Sequence, residues 1–117
     1  AILNAEAQDI YRHLDRNREK IRIVTSLHAM EHFGLGRYGD NIDYFGDQKA
    51  LSEFSKILEK KPSFFSSSSS NGGLLILSVP FTIHNSPRVE FHGQRVYNFK
   101  TIESMLKRQN MKIFTWI

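Results

Sequence analysis

The side chains that could do chemistry are concentrated in residues 25–43, which read TSLHAMEHFGLGRYGDNID. Imidazoles and carboxylates can exchange protons with a substrate. Here they stand beside three glycines, a mixture that is costly in a plain core and typical of a functional site. The candidates for general acid–base catalysis are His28, Glu31 and His32. The candidates for contact with an anionic or hydroxylated substrate are Arg37 and Tyr38.

Two other interpretations of this block are open. The two histidines and the glutamate also spell H-x-x-E-H, the inverted zinc-peptidase pattern, in which both histidines share one helix face and bind Zn²⁺. Gly34 and Gly36 follow at once and leave scarcely one helical turn, and the chain has no cysteine, so we predict no structural zinc. The plainer alternative is a polar cluster that satisfies backbone groups at a strand end, with Arg37 and Asp40 paired to fix the loop.

The segments around this block alternate between strands and helices. Helical patterns are predicted at residues 11–20, 47–58 and 101–108, and strands or extended segments at residues 21–26, 74–79, 89–99 and 112–117. Such alternation predicts an α/β fold, a mostly parallel sheet with helical crossovers, in a single domain over residues 1–117. Ligands of such sheets bind beyond the carboxyl ends of the strands. The 25–43 block overlaps the carboxyl end of the strand predicted at residues 21–26 and lies where a site is expected.

The second helical pattern is the clearest. Its apolar residues recur at helical spacing, at Ala50, Leu51, Phe54, Ile57 and Leu58. Asp47 is the predicted N-cap, and Lys60, Lys61 and Pro62 are predicted to end the helix. The serine-rich residues 63–71 that follow are predicted to be a mobile surface loop, because they contain too little apolar surface to order themselves.

Composition excludes several classes of protein. The 117 residues carry a net charge of +4, but the basic residues are dispersed, so we expect no specific nucleic-acid partner. No apolar run reaches about 18 residues, so we expect no membrane span and a soluble protein, with the cytoplasm favoured. The chain opens with Ala1 inside structured sequence, and we therefore expect it to be a piece of something longer.

The 25–43 block resembles an uncharacterised branch of the class I S-adenosylmethionine-dependent methyltransferases, whose members carry a near-identical S-L-H-A-x-E-H-F-G-L-G-R-Y-G-D-x-I-D segment. Weaker similarity continues through GGLLILSVP at residues 72–80 and VEFHGQRVYNF at residues 89–99. The resemblance implies the carboxyl-terminal half of a Rossmann-like domain, with residues 21–26 as strand four and residues 74–79 as strand five. The Gly-rich cofactor turn of the amino-terminal half has no counterpart here.

The same resemblance implies S-adenosylmethionine as cofactor and an unidentified small-molecule or macromolecular methyl acceptor. The positions that match the cofactor-contacting segments are Glu6, Ala7, Ser26 and Leu27. Arg95 joins Arg37 and Tyr38 as a substrate-binding candidate, because it matches the arginine of the F-N-A-H-R motif. The histidine of that motif is replaced by Gln94, which leaves a non-catalytic pseudoenzyme fragment or interaction module as the alternative.

Overall fold

The computed structural model describes residues 6–14, 21–61, 72–90 and 93–117. The predicted insert at 63–71 and most of the predicted 11–20 helix lie outside these ranges. The helices are α1 (Ile10–His13), α2 (Gly46–Ile57) and α3 (Phe99–Arg108), with single 3₁₀ turns at Ala7–Asp9 and Met30–His32. The strands are β1 (Ile23–Leu27), β2 (Leu74–Ser78), β3 (Arg88–Glu90) and β4 (Gln94–Val96).

The strands β1 and β2 form a parallel pair joined through α2. Their register runs from Ile23 opposite Leu74 to Leu27 opposite Ser78. A strand–helix–strand unit of this kind is what the alternating pattern predicted, so the α/β class is confirmed at that level. The Rossmann-like arrangement stays a prediction.

The second pair of strands corrects the prediction for residues 89–99. Instead of one extended segment, β3 and β4 form an antiparallel hairpin whose turn includes Gly93 at φ +70°. The hairpin is attached to the chain that leaves β2, because the Tyr97 amide donates to the Pro80 carbonyl at 2.9 Å and the Thr82 amide donates to the Tyr97 carbonyl at 2.8 Å.

The predicted strand at residues 112–117 is wrong, because these residues form no ladder with another described segment. Phe114 and Ile117 are exposed, while Trp116 packs against the rings of Phe81 and Phe99. β-Branched and aromatic residues favour a strand, but they form one only where an edge is available to pair with.

The core lies between α2, α3 and the loop after β1. It consists of Met30, Ala50, Leu51, Phe54, Tyr97, Ile102 and Met105. The apolar face predicted for α2 is confirmed, since Ala50, Leu51, Phe54 and Ile57 are all buried. In α3, Ile102 and Met105 are buried, and the helix begins earlier than predicted, at Phe99, with the side chain of Asn98 accepting from the Thr101 amide at 2.9 Å.

One face of the β1–β2 pair is left uncovered by the described residues. Ile23, Leu27, Leu74 and Ile76 are between 43% and 62% exposed. The opposite face of the pair is partly buried, because Val24 packs against the core. Among the described helices, none is long and apolar enough to cross a membrane.

Candidate functional site

His28 stands at the carboxyl end of the parallel pair in a strained backbone conformation. Its φ is +46°, in the left-handed region that non-glycine residues rarely adopt. The His28 amide continues the ladder by donating to the Ser78 carbonyl at 2.9 Å, while its side chain is 66% exposed. Strain of this kind, held by a strand end, is typical of residues that must present a side chain.

Glu31 places a buried carboxylate beneath that histidine. The residue is 1% exposed, and its Oε1 lies 3.3 Å from Nδ1 of His28 and 3.7 Å from Nε2 of His32. Its Oε2 has no hydrogen-bond partner among the described residues. A carboxylate without partners is expensive to bury. The two imidazole nitrogens flank Oε1, and either ring offers it a positive charge only when that ring is protonated.

His32 is held on its other side by the hairpin. Its Nδ1 lies 2.8 Å from the Gly93 carbonyl, and a carbonyl oxygen only accepts, so we assign a proton to Nδ1. Nε2 is then the nitrogen that faces Glu31. The ring also packs edge-on against Tyr38, with the centroids 5.4 Å apart. The turn therefore depends on contacts from both the loop and the hairpin.

The loop after this turn is closed by Asp40. Its carboxylate accepts from the Gly34 amide at 2.7 Å. Burial acts to raise the pKa of Asp40, but hydrogen bonds from the backbone amides, that of Gly34 first among them, outweigh it and hold the pKa below its ordinary value. Asp40 thus fixes the loop through backbone amides, and its predicted pairing with Arg37 stays a prediction. The Arg37 guanidinium lies over the Tyr38 ring, 5.7 Å from its centroid.

Two glycines let the loop touch the start of α2. Gly34 has φ +77°, and a Cβ there would overlap the Asp43 carbonyl oxygen. A Cβ on Gly46 would lie 2.5 Å from the Phe33 carbonyl oxygen. The backbones approach so closely that neither position has room for a side chain.

Arg95 holds the loop between β1 and α2 in place through hydrogen bonds to its backbone carbonyls. It is buried, and it donates to the carbonyls of Phe33 at 2.6 Å and Tyr44 at 3.0 Å, with longer contacts of 3.4 Å to those of Glu31 and Asp43. The structure thus gives Arg95 a clamping role that sequence reasoning missed. The substrate-binding role assigned to it stays a prediction.

Asp47 is the acidic partner of Arg95, and its predicted role as the N-cap of α2 is wrong. It lies inside α2, whose N-cap is Phe45, and it is not a capping residue. Its Oδ2 lies 3.5 Å from Nε of Arg95 and accepts from the Tyr97 hydroxyl at 2.8 Å. Burial, and then the charge and hydrogen bond of Asp47, raise the pKa of Tyr97 far above its ordinary value. The phenol therefore keeps its proton as a donor.

The predicted cofactor contacts are only partly brought together. Glu6 lines a cavity of about 180 Å³ with His32, Phe33 and Tyr38. Ser26 is buried at the end of β1, and its Oγ has no partner among the described residues. The neighbouring Leu27 is exposed, whereas Ala7 packs against the core.

The helical geometry required by the zinc-peptidase interpretation is not found. Met30–His32 is a single 3₁₀ turn, and His28 precedes it in a left-handed conformation. Over the part of the chain that the structure describes, no group of three histidine or acidic side chains could hold a metal ion.

Comparison with known proteins identifies the family. Residues 2–116 match a family model described as "Caenorhabditis protein of unknown function, DUF268", and the chain belongs to that family. No curated protein and no solved structure matches it. Any function must therefore be argued from the residues of the site.

Proposed function

We propose that this member of the family binds S-adenosylmethionine and that His28 accepts the proton of an N–H or O–H methyl acceptor. The observation that carries the proposal is the buried Glu31 carboxylate, 3.3 Å from Nδ1 of an exposed, strained histidine. A carboxylate behind an imidazole orients the ring and stabilises its protonated form, as in other acid–base centres. The methyl-transfer part rests on the resemblance of the 25–43 block.

The proton has a defined route within the cluster. With Nδ1 of His28 facing Glu31, the opposite nitrogen, Nε2, is the one available to an acceptor on the exposed side of the ring. When Nε2 takes the proton, the positive imidazolium lies against the Glu31 carboxylate, and the charge created by the reaction is balanced. Arg37 and Tyr38 lie on the exposed loop beyond the turn, where they are proposed to contact the acceptor.

The described residues fit part of the cofactor. A cavity of about 180 Å³ is smaller than a typical ligand site of about 300–1,000 Å³, so it suits one portion such as a ribose. The Glu6 carboxylate at this cavity can accept from ribose hydroxyls, and the orphaned Oγ of Ser26 offers a donor and acceptor at the strand end. For Ala7 and Leu27 the proposed cofactor contact rests on the resemblance alone. When bound, the cofactor supplies a methyl group on a sulfonium, which needs mainly alignment with the acceptor.

The first test is binding of S-adenosylhomocysteine, measured by calorimetry on the full chain. We expect saturable binding, weakened by Glu6→Ala and Ser26→Ala. No heat of binding at about 1 mM ligand, a binding free energy weaker than about 4 kcal/mol, would remove the enzyme proposal and favour the interaction-module alternative.

The second test isolates the role of His28. His28→Gln is expected to leave S-adenosylhomocysteine binding within about twofold and to abolish methyl transfer to a panel of small N- and O-nucleophiles. His84→Gln, a change of the same type on an exposed loop, is the matched control. The ¹⁵N resonances of the His28 ring give a readout without turnover, because Glu31→Gln should remove the preference for a proton on Nδ1. An unchanged ring spectrum would contradict the pairing.

A further inference from the structure

A second cavity lies away from the predicted cofactor contacts. It has a volume of about 470 Å³, within the range of small-molecule sites, and it opens between the β3–β4 hairpin, α3 and the first turns of α2. We call it the α3 cleft. Tyr44, Val89 and Met105 contribute ring, aliphatic and thioether surface to its walls.

The lining of this cleft carries an excess of positive charge. Its lining has four cations, Arg88, Arg95, Lys100 and Arg108, and the single carboxylate of Asp47. That carboxylate is already balanced by the Arg95 guanidinium at 3.5 Å and by the Tyr97 hydroxyl. Glu90 neutralises Arg88 from outside the lining, at 2.7 Å. The excess positive charge therefore lies on α3.

The α3 residues form a regular stripe along the cleft. Lys100, Ser104 and Arg108 follow one another at intervals of four, so they lie on one face of the helix over about 12 Å. Arg108 is oriented by a 3.3 Å hydrogen bond to the neutral amide of Gln48, which leaves its charge uncompensated by that contact. Two cations separated by a hydroxyl donor are groups that bind a phosphate dianion well.

We propose that the α3 cleft binds a small molecule bearing a phosphomonoester group. The phosphate lies along Lys100, Ser104 and Arg108, and the organic part packs on Tyr44 and Met105. This proposal goes beyond the proposed function, since it requires neither a methyl donor nor His28, and it stands or fails separately.

The experiment uses the full chain and phenyl phosphate as the probe, followed by amide chemical shifts and calorimetry. We expect saturable binding with shifts confined to α3, the hairpin and the start of α2. Inorganic phosphate should bind the same residues more weakly, because it lacks the organic part, and phenol should not bind. Failure of phenyl phosphate to bind at about 10 mM, weaker than about 3 kcal/mol, overturns the proposal, as does equal binding of phenol.

Charge variants identify the site. Lys100→Glu and Arg108→Glu should each weaken phenyl phosphate binding by at least about tenfold, the loss expected for a charge-assisted hydrogen bond. Lys112→Glu makes the same change of net charge at an exposed position outside the lining and should change affinity by less than about twofold. Arg108→Gln removes the charge without reversing it and serves as the second variant if a reversal disturbs folding. Equal weakening by Lys112→Glu would show only non-specific attraction and reject the cleft.

Discussion

The Nε atom of Arg95 lies 3.5 Å from Oδ2 of Asp47, and the two side chains are only 8% and 5% exposed. Exposed ion pairs contribute little to stability, but a buried pair that loses one partner leaves an uncompensated charge. Here the guanidinium also serves backbone carbonyls of the loop, so one side chain joins the loop, α2 and the hairpin.

Arg95→Met should lower the free energy of unfolding by about 3–5 kcal/mol, because Asp47 and several loop carbonyls lose their partner. Urea denaturation measures the loss, and Arg22→Met, at an 83% exposed arginine, is the matched control. Adding Asp47→Leu to Arg95→Met should recover part of the loss by removing the stranded charge. A double variant whose loss equals the sum of the two single losses would contradict a coupled pair.

A comparison of Gly34→Ala with Gly39→Ala separates the loss of stability caused by backbone strain from the loss caused by steric overlap. Both residues have positive φ, +77° and +83°, so each alanine should cost about 1–2 kcal/mol. Only at Gly34 does the new Cβ overlap the Asp43 carbonyl, while at Gly39 nothing lies within 4 Å. Gly34→Ala should therefore cost about 1–3 kcal/mol more. Equal thermal midpoints for the two variants would show that the close approach is not maintained in solution.

Asp40→Asn tests the closure of the loop through pH. The pKa of Asp40 is lowered from 3.8 in the folded protein, so its carboxylate stabilises the fold above the unfolded pKa, and that contribution is lost as pH falls through the folded pKa. At pH 7 the wild type should be more stable than the variant by less than about 1 kcal/mol, since the carboxylate is only partly buried and water screens it. The difference should narrow below about pH 4 in urea titrations at several pH values. A gap that widens on acidification would have the wrong sign.

Tyr97→Phe tests the buried phenol. Its pKa is raised by burial and by Asp47, so stability is present below the unfolded value of 10.0 and is lost as pH rises above it. Near neutral pH the variant should be about 1–3 kcal/mol less stable, through loss of a hydrogen bond to a carboxylate. Above about pH 10 the gap should shrink, because only the wild type must hold a phenolic proton. Tyr38→Phe, at an exposed tyrosine, should show no such convergence.

The sequence predicted those elements whose apolar residues recur at a regular spacing along the chain. The spacing of Ala50, Leu51 and Phe54 places α2 and its buried face, and the short apolar runs place β1 and β2. The hairpin was missed because β3 and β4 have three residues each, too few for a recognisable alternation. Residues 112–117 are rich in β-branched and aromatic residues, as strands are, yet no neighbouring edge in the described structure pairs with them.

In the candidate site, too, residues close in sequence could be predicted and contacts between distant residues could not. His28, Glu31 and His32 could be selected from sequence because they are close along the chain, and the structure brings them together around one carboxylate oxygen. The partners of Arg95 could not be predicted, since they are backbone carbonyls 51 to 64 residues away and carry no side-chain signature. Asp47 was predicted to be a helix N-cap because it lies near the start of the helical pattern. Its partners in the structure, Arg95 and Tyr97, are distant in sequence and could not be predicted.

The clamp also has a consequence for motion. The loop from Phe33 to Tyr44 is held by a side chain of β4, and His32 by the carbonyl of the hairpin turn, so the loop cannot open while the hairpin stays docked. Their amides should therefore exchange with deuterium as one cooperative unit, at a single opening free energy. A ligand that holds the hairpin in place would then slow exchange at His32 and through the loop, including residues that it does not touch.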